Sequence, residues 1–195
     1  MDNPLILPDD SRPTRSDAVK NHALLLETAQ RLFAEQGLEA VSMSAIAEAA
    51  GVGKGTLYRH FKNKSDLAHE LLDQDMRDLQ MRALRRLQGH HAPLDDLAWF
   101  LEQVVRFVDR NEGLLCVAAG DLSLLDTPAH LWWRQTIRGL LNRVQPPLAT
   151  DLDYMTDMLY VMTDVRTLRF QKRALSYDAN RIIDGLKMTL ELLTS

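Results

Sequence analysis

The sequence lacks the features that mark several common classes of protein. Its 195 residues include one cysteine, Cys116, which cannot form an internal disulfide and so favours a reducing compartment. No apolar run approaches the roughly 18 residues that a membrane-spanning helix needs. The N-terminus has neither the basic start nor the long apolar stretch of a signal peptide. We therefore expect a cytoplasmic protein with no membrane partner.

Motifs of catalysis and metal binding are missing as well. The sequence contains no His-x-x-x-His, no cysteine cluster, no phosphate-binding glycine loop and no Gly-x-Ser-x-Gly. His90 and His91 adjoin a segment with a proline, where solvated side chains are expected rather than a metal site. We predict no enzyme, no cofactor and no metal, and we keep an enzyme and a protein-interaction module as the two alternatives.

Helical periodicity extends along most of the chain. Only nine glycines and few β-branched residues favour helices over strands. Apolar spacing predicts a first helix over 17–36, which Gly37 ends, and a long helix over about 66–88. Near the C-terminus it predicts single helices over about 151–172 and 178–194. These patterns together predict an all-α fold of about nine helices.

The most informative segment spans residues 42–61 and reads S-M-S-A-I-A-E-A-A-G-V-G-K-G-T-L-Y-R-H-F. It predicts two short helices, the first capped by Ser44, with Gly51 in a left-handed conformation at the turn. The second helix carries small, polar and basic side chains instead of an apolar face. A helix that enters the major groove of DNA needs such a surface.

Residue chemistry predicts how this segment contacts DNA. Lys54 and Thr56 point outward and can reach base edges. Gly55 lowers helix stability by roughly 1 kcal/mol relative to alanine, which is understandable if DNA approaches the backbone there. Hydroxyl, imidazole and ammonium groups at the helix ends suit phosphate. The complete predicted set is Ser42, Ser44, Gly53, Lys54, Gly55, Thr56, Tyr58, His60 and Lys64.

Charge is distributed unevenly along the chain. Residues 42–64 contain four bases and one acid, whereas the whole chain has a net charge of −4, so the remainder carries −7. A small basic patch that meets phosphate, on an otherwise acidic protein, would produce this pattern. A chance cluster on a solvated surface would also produce it. For the segment as a whole, the alternative is a helix-turn-helix used only for packing, which does not require the exposed basic and small residues.

Three segments carry a resemblance to a known family: E-T-A-Q-R-L-F-A-E-Q-G, then I-A-E-A-A-G-V-G-K-G-T-L-Y-R-H-F, then K-N-K-S-D-L. Over about residues 19–79 the sequence resembles the TetR family of transcriptional regulators. The resemblance implies a three-helix DNA-binding domain over 17–65 and a helical domain over 66–195 that dimerises and binds a small-molecule effector. Two copies of a short recognition helix would read a palindromic DNA operator. Because repression is the commoner behaviour in that family, we expect a homodimeric repressor that a small-molecule inducer releases, with activation as the alternative.

Residues 1–16 precede the predicted helices and show no periodicity. Prolines, aspartates and two arginines dominate this stretch, so we expect a flexible arm. Arg12 and Arg15 have the chemistry to enter a minor groove. A tail without a role is the alternative.

The C-terminal half gives weaker signals. Its last two predicted helices are apolar on more than one face, which favours either a dimer interface or burial within the monomer. The interface residues predicted on this basis are Met155, Leu159, Met162, Ile182, Ile183, Leu186 and Leu190. Aromatic residues in the middle helices suit either a ligand pocket or a plain core. The predicted pocket residues are Trp99, Phe107, Trp132, Trp133 and Arg166.

Overall fold

The computed structural model describes residues 15–119, 128–147 and 151–194, and these residues form ten helices and no strand. The prediction of an all-α fold is confirmed. The helices are α1 (Arg15–Gln36), α2 (Met43–Ala49), α3 (Lys54–His60), α4 (Lys64–Leu87), α5 (Pro93–Arg110), α6 (Glu112–Ala119), α7 (Pro128–Val144), α8 (Leu152–Met162), α9 (Val165–Leu175) and α10 (Ala179–Thr194). The chain divides into two compact units, Met1–Leu67 and Ala68–Ser195.

The first unit is built from α1, α2 and α3, which pack on one another. Gly37 ends α1 with a φ of +83°, a conformation that favours glycine, and its N–H donates to the Phe33 carbonyl. The buried apolar residues come from all three helices and from the segments that join them. They are Leu25, Leu26, Ala29, Leu32, Val41, Ile46, Ala47, Leu57, Phe61 and Leu67.

The start of α4 is fixed by reciprocal hydrogen bonds. The Asn63 side chain accepts from the Asp66 N–H at 2.9 Å, and the Asp66 carboxylate accepts from the Lys62 N–H at 2.8 Å. Both contacts satisfy backbone donors at a helix N-terminus, where intrahelical acceptors are lacking. The sequence K-N-K-S-D therefore sets where α3 gives way to α4.

The second unit is organised around α5, which packs against α7, α9 and α10, while α8 packs on α7. The buried residues of α5 form one broad face, about half of its circumference, which agrees with its packing against several helices. They are Asp96, Leu97, Phe100, Leu101, Val104, Val105, Phe107 and Val108. Surface ion pairs add to the packing, since Arg134 and Arg138 of α7 contact Asp157 and Asp153 of α8 at 2.5 and 2.7 Å.

One buried carboxylate joins several parts of this unit. The Asp96 side chain has no solvent exposure, and its Oδ1 lies 3.1 Å from Arg86 Nε and 3.3 Å from His91 Nδ1. Its Oδ2 lies 3.5 Å from Arg143 Nη1. The Arg86 guanidinium also stacks on the Trp99 ring, with 5.1 Å between its Cζ and the ring centroid. The end of α4, the turn after it, α5 and the end of α7 thus meet at one charge.

The prediction of a single helix over 151–172 is wrong, because this segment forms two helices, α8 and α9. Thr163 hydrogen-bonds the Tyr160 carbonyl through its hydroxyl at 2.8 Å, and the Asp164 carboxylate accepts from the Arg166 N–H at 2.8 Å. Such local side-chain bonds compete with the backbone pattern of a continuous helix. Apolar periodicity across the break concealed it in the sequence.

Some predictions concern residues outside the described ranges. Residues 1–14 of the predicted arm, including Arg12, lie outside the described ranges. Arg15 is the first residue of α1. Among the helices of the described part of the chain, none is long and apolar enough to cross a membrane.

Candidate nucleic-acid interface and effector region

A tight turn fixes the angle between α2 and α3. Gly51 has a φ of +66°, as predicted for the left-handed position of the turn. The Val52 N–H donates to the Ala47 carbonyl at 3.0 Å, and Gly53 caps α3 by accepting from the N–H groups of Thr56 and Leu57. The two short helices therefore form the predicted helix-turn-helix.

The α3 helix has one buried and one exposed side. Leu57 is buried, and Phe61 is buried immediately after the helix ends. Lys54, Gly55 and Tyr58 are exposed, with half of the Tyr58 surface accessible. Leu57 and Phe61 anchor α3 in the core of the first unit. The polar side of the helix therefore faces solvent and is available to a groove of DNA.

Arg59 also lies on the exposed side of α3, although it is absent from the predicted contact set. Its Nη2 donates to the Thr56 hydroxyl at 3.0 Å, which couples a base to the threonine predicted to meet base edges. The sequence did contain a signal, because Arg59 follows Tyr58 directly and belongs to the basic cluster. An arginine at such a position suits phosphate or guanine.

The edges of this surface differ from the prediction in their local contacts. Ser42, and not Ser44, caps α2, since the Ser42 hydroxyl accepts from the Ala45 N–H at 3.1 Å. The β-region backbone of Ser42, with φ −94° and ψ 157°, is what a capping position requires. The prediction that Ser44 is the cap was wrong by two residues.

Two other predicted phosphate contacts have partners within the first unit. Lys64 Nζ donates to the Leu38 carbonyl at 2.8 Å and so binds the connection between α1 and α2. The His60 ring lies 5.4 Å, centroid to centroid, from the His22 ring of α1, which stacks on Phe61. These residues have a structural role, and a contact with phosphate remains a prediction for both.

Comparison with known proteins identifies the family. A family model described as bacterial regulatory proteins, tetR family, matches residues 25–71. A helix-turn-helix-type transcriptional regulator of Staphylococcus aureus (strain bovine RF122 / ET3-1) is 36% identical over 174 residues, which cover 86% of this chain and 91% of that protein. The chain belongs to the TetR family. The helix-turn-helix is accordingly the DNA-binding element of this TetR-family regulator, and the prediction of a transcriptional regulator rather than an enzyme is confirmed by its relatives.

Solved structures share the fold of this TetR-family regulator. A TetR-family transcriptional regulator from Pectobacterium atrosepticum has a TM-score of 0.69 at 18% identity and covers 92% of this chain and 95% of its own. A gamma-butyrolactone receptor, an ArpA-like protein, has a TM-score of 0.54 at 24% identity and covers 91% of this chain and 99% of its own.

The residues predicted for an effector pocket have different neighbours in the structure, and a pocket formed by them stays a prediction. Trp99 stacks with Arg86, Trp132 contacts Phe100, and Arg166 is exposed on α9. Phe107 and Trp133 contact each other, with ring centroids 5.5 Å apart and planes at 80°. The sequence could not show this, because neighbouring residues on a helix face different directions.

A buried polar cluster adjoins Trp133, and its tyrosine was not among the predicted residues. The His130 ring lies 4.9 Å from the Trp133 ring, and its Nδ1 is hydrogen-bonded to the Tyr160 hydroxyl. Burial lowers the pKa of His130 below 6.5, although the charge of Asp164 opposes this effect. Burial, followed by the charge of Asp164, raises the pKa of Tyr160 above 10.0. Both side chains are thus neutral near pH 7.

The residues predicted for a dimer interface lie mainly in the core of the second unit, so this residue set is corrected. Leu159 is fully buried, and Leu190 is 1% exposed. Of the seven, only Met162 is partly exposed. A side chain within the core of the monomer cannot also form its contact surface, and the wide apolar faces of α8 and α10 reflect that core.

Other apolar residues of the same helices are exposed. On α8, Tyr154, Met158 and Val161 recur at a spacing that places them on one face, and Tyr154 is 66% exposed. On α10, Met188 and Leu192 are 61% and 75% exposed. Met188 also lines an open groove of about 530 Å³ formed by the end of α8, α9 and α10. Within the described residues, no group of three His, Cys, Asp or Glu residues is arranged to hold a metal ion.

Proposed function

We propose that this TetR-family regulator is a homodimeric repressor that binds a palindromic operator and is released by a small-molecule inducer. The observation that carries the proposal is the exposed polar side of α3 above a buried anchor of Leu57 and Phe61. We assign DNA binding to residues 17–65 and dimerisation and effector binding to residues 66–195. We assign no role to residues 1–16. We place the action of the regulator in the cytoplasm.

The exposed side of α3 supports a division of contacts. Lys54 and Thr56 are placed to meet base edges, and Arg59 adds a second base beside Thr56. Apart from its chain neighbours and the backbone of α3, no atom of the described residues lies within 4 Å of the position that a Cβ on Gly55 would occupy. Packing of the protein itself therefore does not require glycine there, which supports close approach by DNA, and the same holds for Gly53.

Phosphate contacts are proposed for the ends of the motif. Tyr58 is exposed at the surface of α3, whereas Ser42, Ser44, His60 and Lys64 lie at helix ends. Lys64 must keep its ammonium near the Leu38 carbonyl while it faces DNA. An ammonium has three donors, so one can bind the carbonyl and another a phosphate.

The exposed apolar rows on α8 and α10 support a homodimer. A monomer presents one short recognition helix, whereas two copies about 34 Å apart read the half-sites of a palindrome. Rows of exposed methionine, aromatic and aliphatic side chains are typical of surfaces that a partner covers. We therefore replace the predicted interface residues with Tyr154, Met158, Val161, Met188 and Leu192.

Release by an inducer is supported by the second unit and by a structural neighbour. That neighbour is a gamma-butyrolactone receptor, which is by its name a protein that responds to a small molecule. An inducer must bind better to a dimer whose recognition helices do not match the groove. A useful coupling is about 1–3 kcal/mol, and a nearly complete switch needs about 5.5 kcal/mol.

DNA binding is tested by fluorescence anisotropy with duplex DNA from upstream of the protein's own gene and with a shuffled duplex of the same composition. We expect tighter binding to the upstream duplex and a linear fall of log affinity with log salt. Thr56→Ala should change the base preference, and Lys64→Ala should weaken both complexes and reduce the salt slope by about one. Arg110→Ala, at an exposed position of the second unit, is the control. Equal affinity of the wild-type protein for both duplexes would refute sequence-specific binding.

The dimer is tested by sedimentation velocity at micromolar concentration. We expect a dimer for the wild-type protein and a monomer for the double variant Met188→Asp/Leu192→Asp. Met81→Asp is the matched control, because Met81 is also exposed but lies on α4. A wild-type monomer, or a double variant that remains dimeric, would contradict the proposal.

A further inference from the structure

The indole N–H of Trp133 is a buried hydrogen-bond donor to which the described residues offer no acceptor. Trp133 is 1% exposed, and its Nε1 has no hydrogen-bond partner within the described part of the chain. Buried donors are nearly always paired, because an unpaired one forfeits the hydrogen bonds that it makes with water. Such a group in the interior of a regulator is a candidate for ligand recognition.

The two comparable atoms have local explanations. Asp96 Oδ2 faces the Arg143 guanidinium at 3.5 Å, and Gln171 lines the open groove beside α10. Trp133 is not among the described residues that line that groove. Its unpaired N–H is therefore the one that calls for an acceptor.

The surroundings of Trp133 suit an apolar or aromatic body. The Phe107 ring of α5 packs edge to face on the Trp133 ring, with 5.5 Å between the centroids. The ring of His130, which lies on α7 like Trp133, has its centroid 4.9 Å from that of Trp133. Tyr160 of α8 completes the cluster through its hydrogen bond with His130. Aromatic edges and faces attract flat or aliphatic groups and leave polar recognition to a single donor.

Charge near the cluster disfavours an anion. The Asp164 carboxylate acts on both His130 and Tyr160, so its field is negative at that side. The basic residue next to Trp133 on α7 is Arg134, and its Nε forms an ion pair with Asp157 Oδ1 at 2.5 Å. Arg166, one of the predicted pocket residues, is exposed on α9. The negative charge of Asp164 beside His130 and Tyr160 therefore favours an uncharged carbonyl over an anion.

We propose that the inducer is an uncharged molecule with an apolar body and a hydrogen-bond-accepting oxygen, and that this oxygen binds the Trp133 indole N–H. The proposal rests on the inducer-released repressor proposed above and names the chemistry of its ligand. The donor lies among α5, α7 and α8, whose side chains are closely packed. Entry of a ligand must therefore displace at least one of these helices, so binding and conformational change are one event.

The test uses six probes with the full-length protein. The ketones acetophenone and 2-octanone offer an uncharged acceptor, benzoate and octanoate are matched anions, and ethylbenzene and octane lack an acceptor. We expect ligand-observed NMR titration to show binding of at least one ketone, about tenfold tighter than its anion and its hydrocarbon. Trp133→Phe, which keeps a ring and loses the N–H, should remove that advantage, whereas Trp132→Phe should keep it.

A second measurement does not depend on the folding of the Trp133 variant. The wild-type protein has three tryptophans and hence three indole N–H signals in a ¹⁵N-correlated spectrum. The signal that survives in both Trp99→Phe and Trp132→Phe belongs to Trp133, and ketone addition should move it downfield.

Three results would overturn the inference: stronger binding of the anions, ketone binding that does not affect the Trp133 signal, or binding of none of the six probes. DNA binding and sedimentation without any probe are measured on the same preparation. If both remain intact, only the ligand chemistry fails, whereas loss of specific DNA binding in the wild-type protein refutes the proposed function itself.

Discussion

Asp96→Ala is expected to destabilise the second unit more than any nearby surface change. The substitution removes a carboxylate without solvent exposure that lies 3.1 to 3.5 Å from Arg86, His91 and Arg143. These groups come from different parts of the unit, so the loss weakens several attachments at once. The Arg86 and Arg143 guanidinium groups that remain would lose the negative charge that lies between them.

The magnitude follows from burial of the partners. Breaking a buried ion pair by deleting one member costs about 3–5 kcal/mol, chiefly because the other charge is left unpaired. The Arg86 and Arg143 side chains are 25% and 44% exposed and can turn toward water. We therefore expect the lower end, about 3 kcal/mol, which lowers Tm by roughly 6–12 °C in a protein of this size.

Thermal and urea unfolding followed by circular dichroism measure this loss. Asp95→Ala is the matched control, because Asp95 is the exposed neighbour in the first turn of α5 and should contribute only about 0.3–1 kcal/mol through the helix dipole. Asp96→Asn keeps the shape and should fall between the two. If Asp96→Ala is as stable as Asp95→Ala, the buried carboxylate does not hold these elements together.

Three further changes test other parts of the structure. Ser42→Ala should cost about 1 kcal/mol by loss of the α2 cap and Ser44→Ala much less, and urea unfolding of both variants would reverse our assignment if Ser44 proved the costlier. Gly55→Ala should raise stability by up to about 1 kcal/mol yet weaken DNA binding, and anisotropy with unchanged affinity would argue against close approach of DNA. Because the pKa of His130 is lowered in the folded state, its contribution is complete above pH 6.5 and is lost as pH falls from 6.5 toward the lowered value, so unfolding of His130→Asn should depend less on pH in that range.

The sequence predicted the helix-turn-helix well because local rules determine it. Gly37 and Gly51 adopt positive φ where turns were expected, and Asn63 and Asp66 form a capping arrangement that short-range spacing reveals. The buried and exposed sides of α3 follow from the positions of Leu57 and Phe61. Ser42 and Ser44 could not be separated as caps, because both residue types fit and only backbone geometry decides.

The second unit was harder to predict because its contacts join residues far apart in sequence. Apolar periodicity correctly marked Leu159 and Leu190 as important, but it could not distinguish a core from an interface. The pairing of His130 with Tyr160 links positions on different helices, and no spacing rule indicates it. The same limit applies to Lys64 in the first unit. Its charge suggested a phosphate contact, but its ammonium donates a hydrogen bond to the Leu38 carbonyl, 26 residues earlier in the chain.

The turn between α4 and α5 is covered by the side chain of His91. A methyl group on Gly89 would lie 2.5 Å from His91 Cε1, so the imidazole covers the backbone at that point. His91 in turn reaches Asp96 on α5. The Gly89 backbone, the His91 imidazole and the Asp96 carboxylate therefore form a continuous chain of contacts from the end of α4 to α5. A side chain at residue 89 would have to displace the imidazole, and the contact between His91 and Asp96 would be disturbed with it.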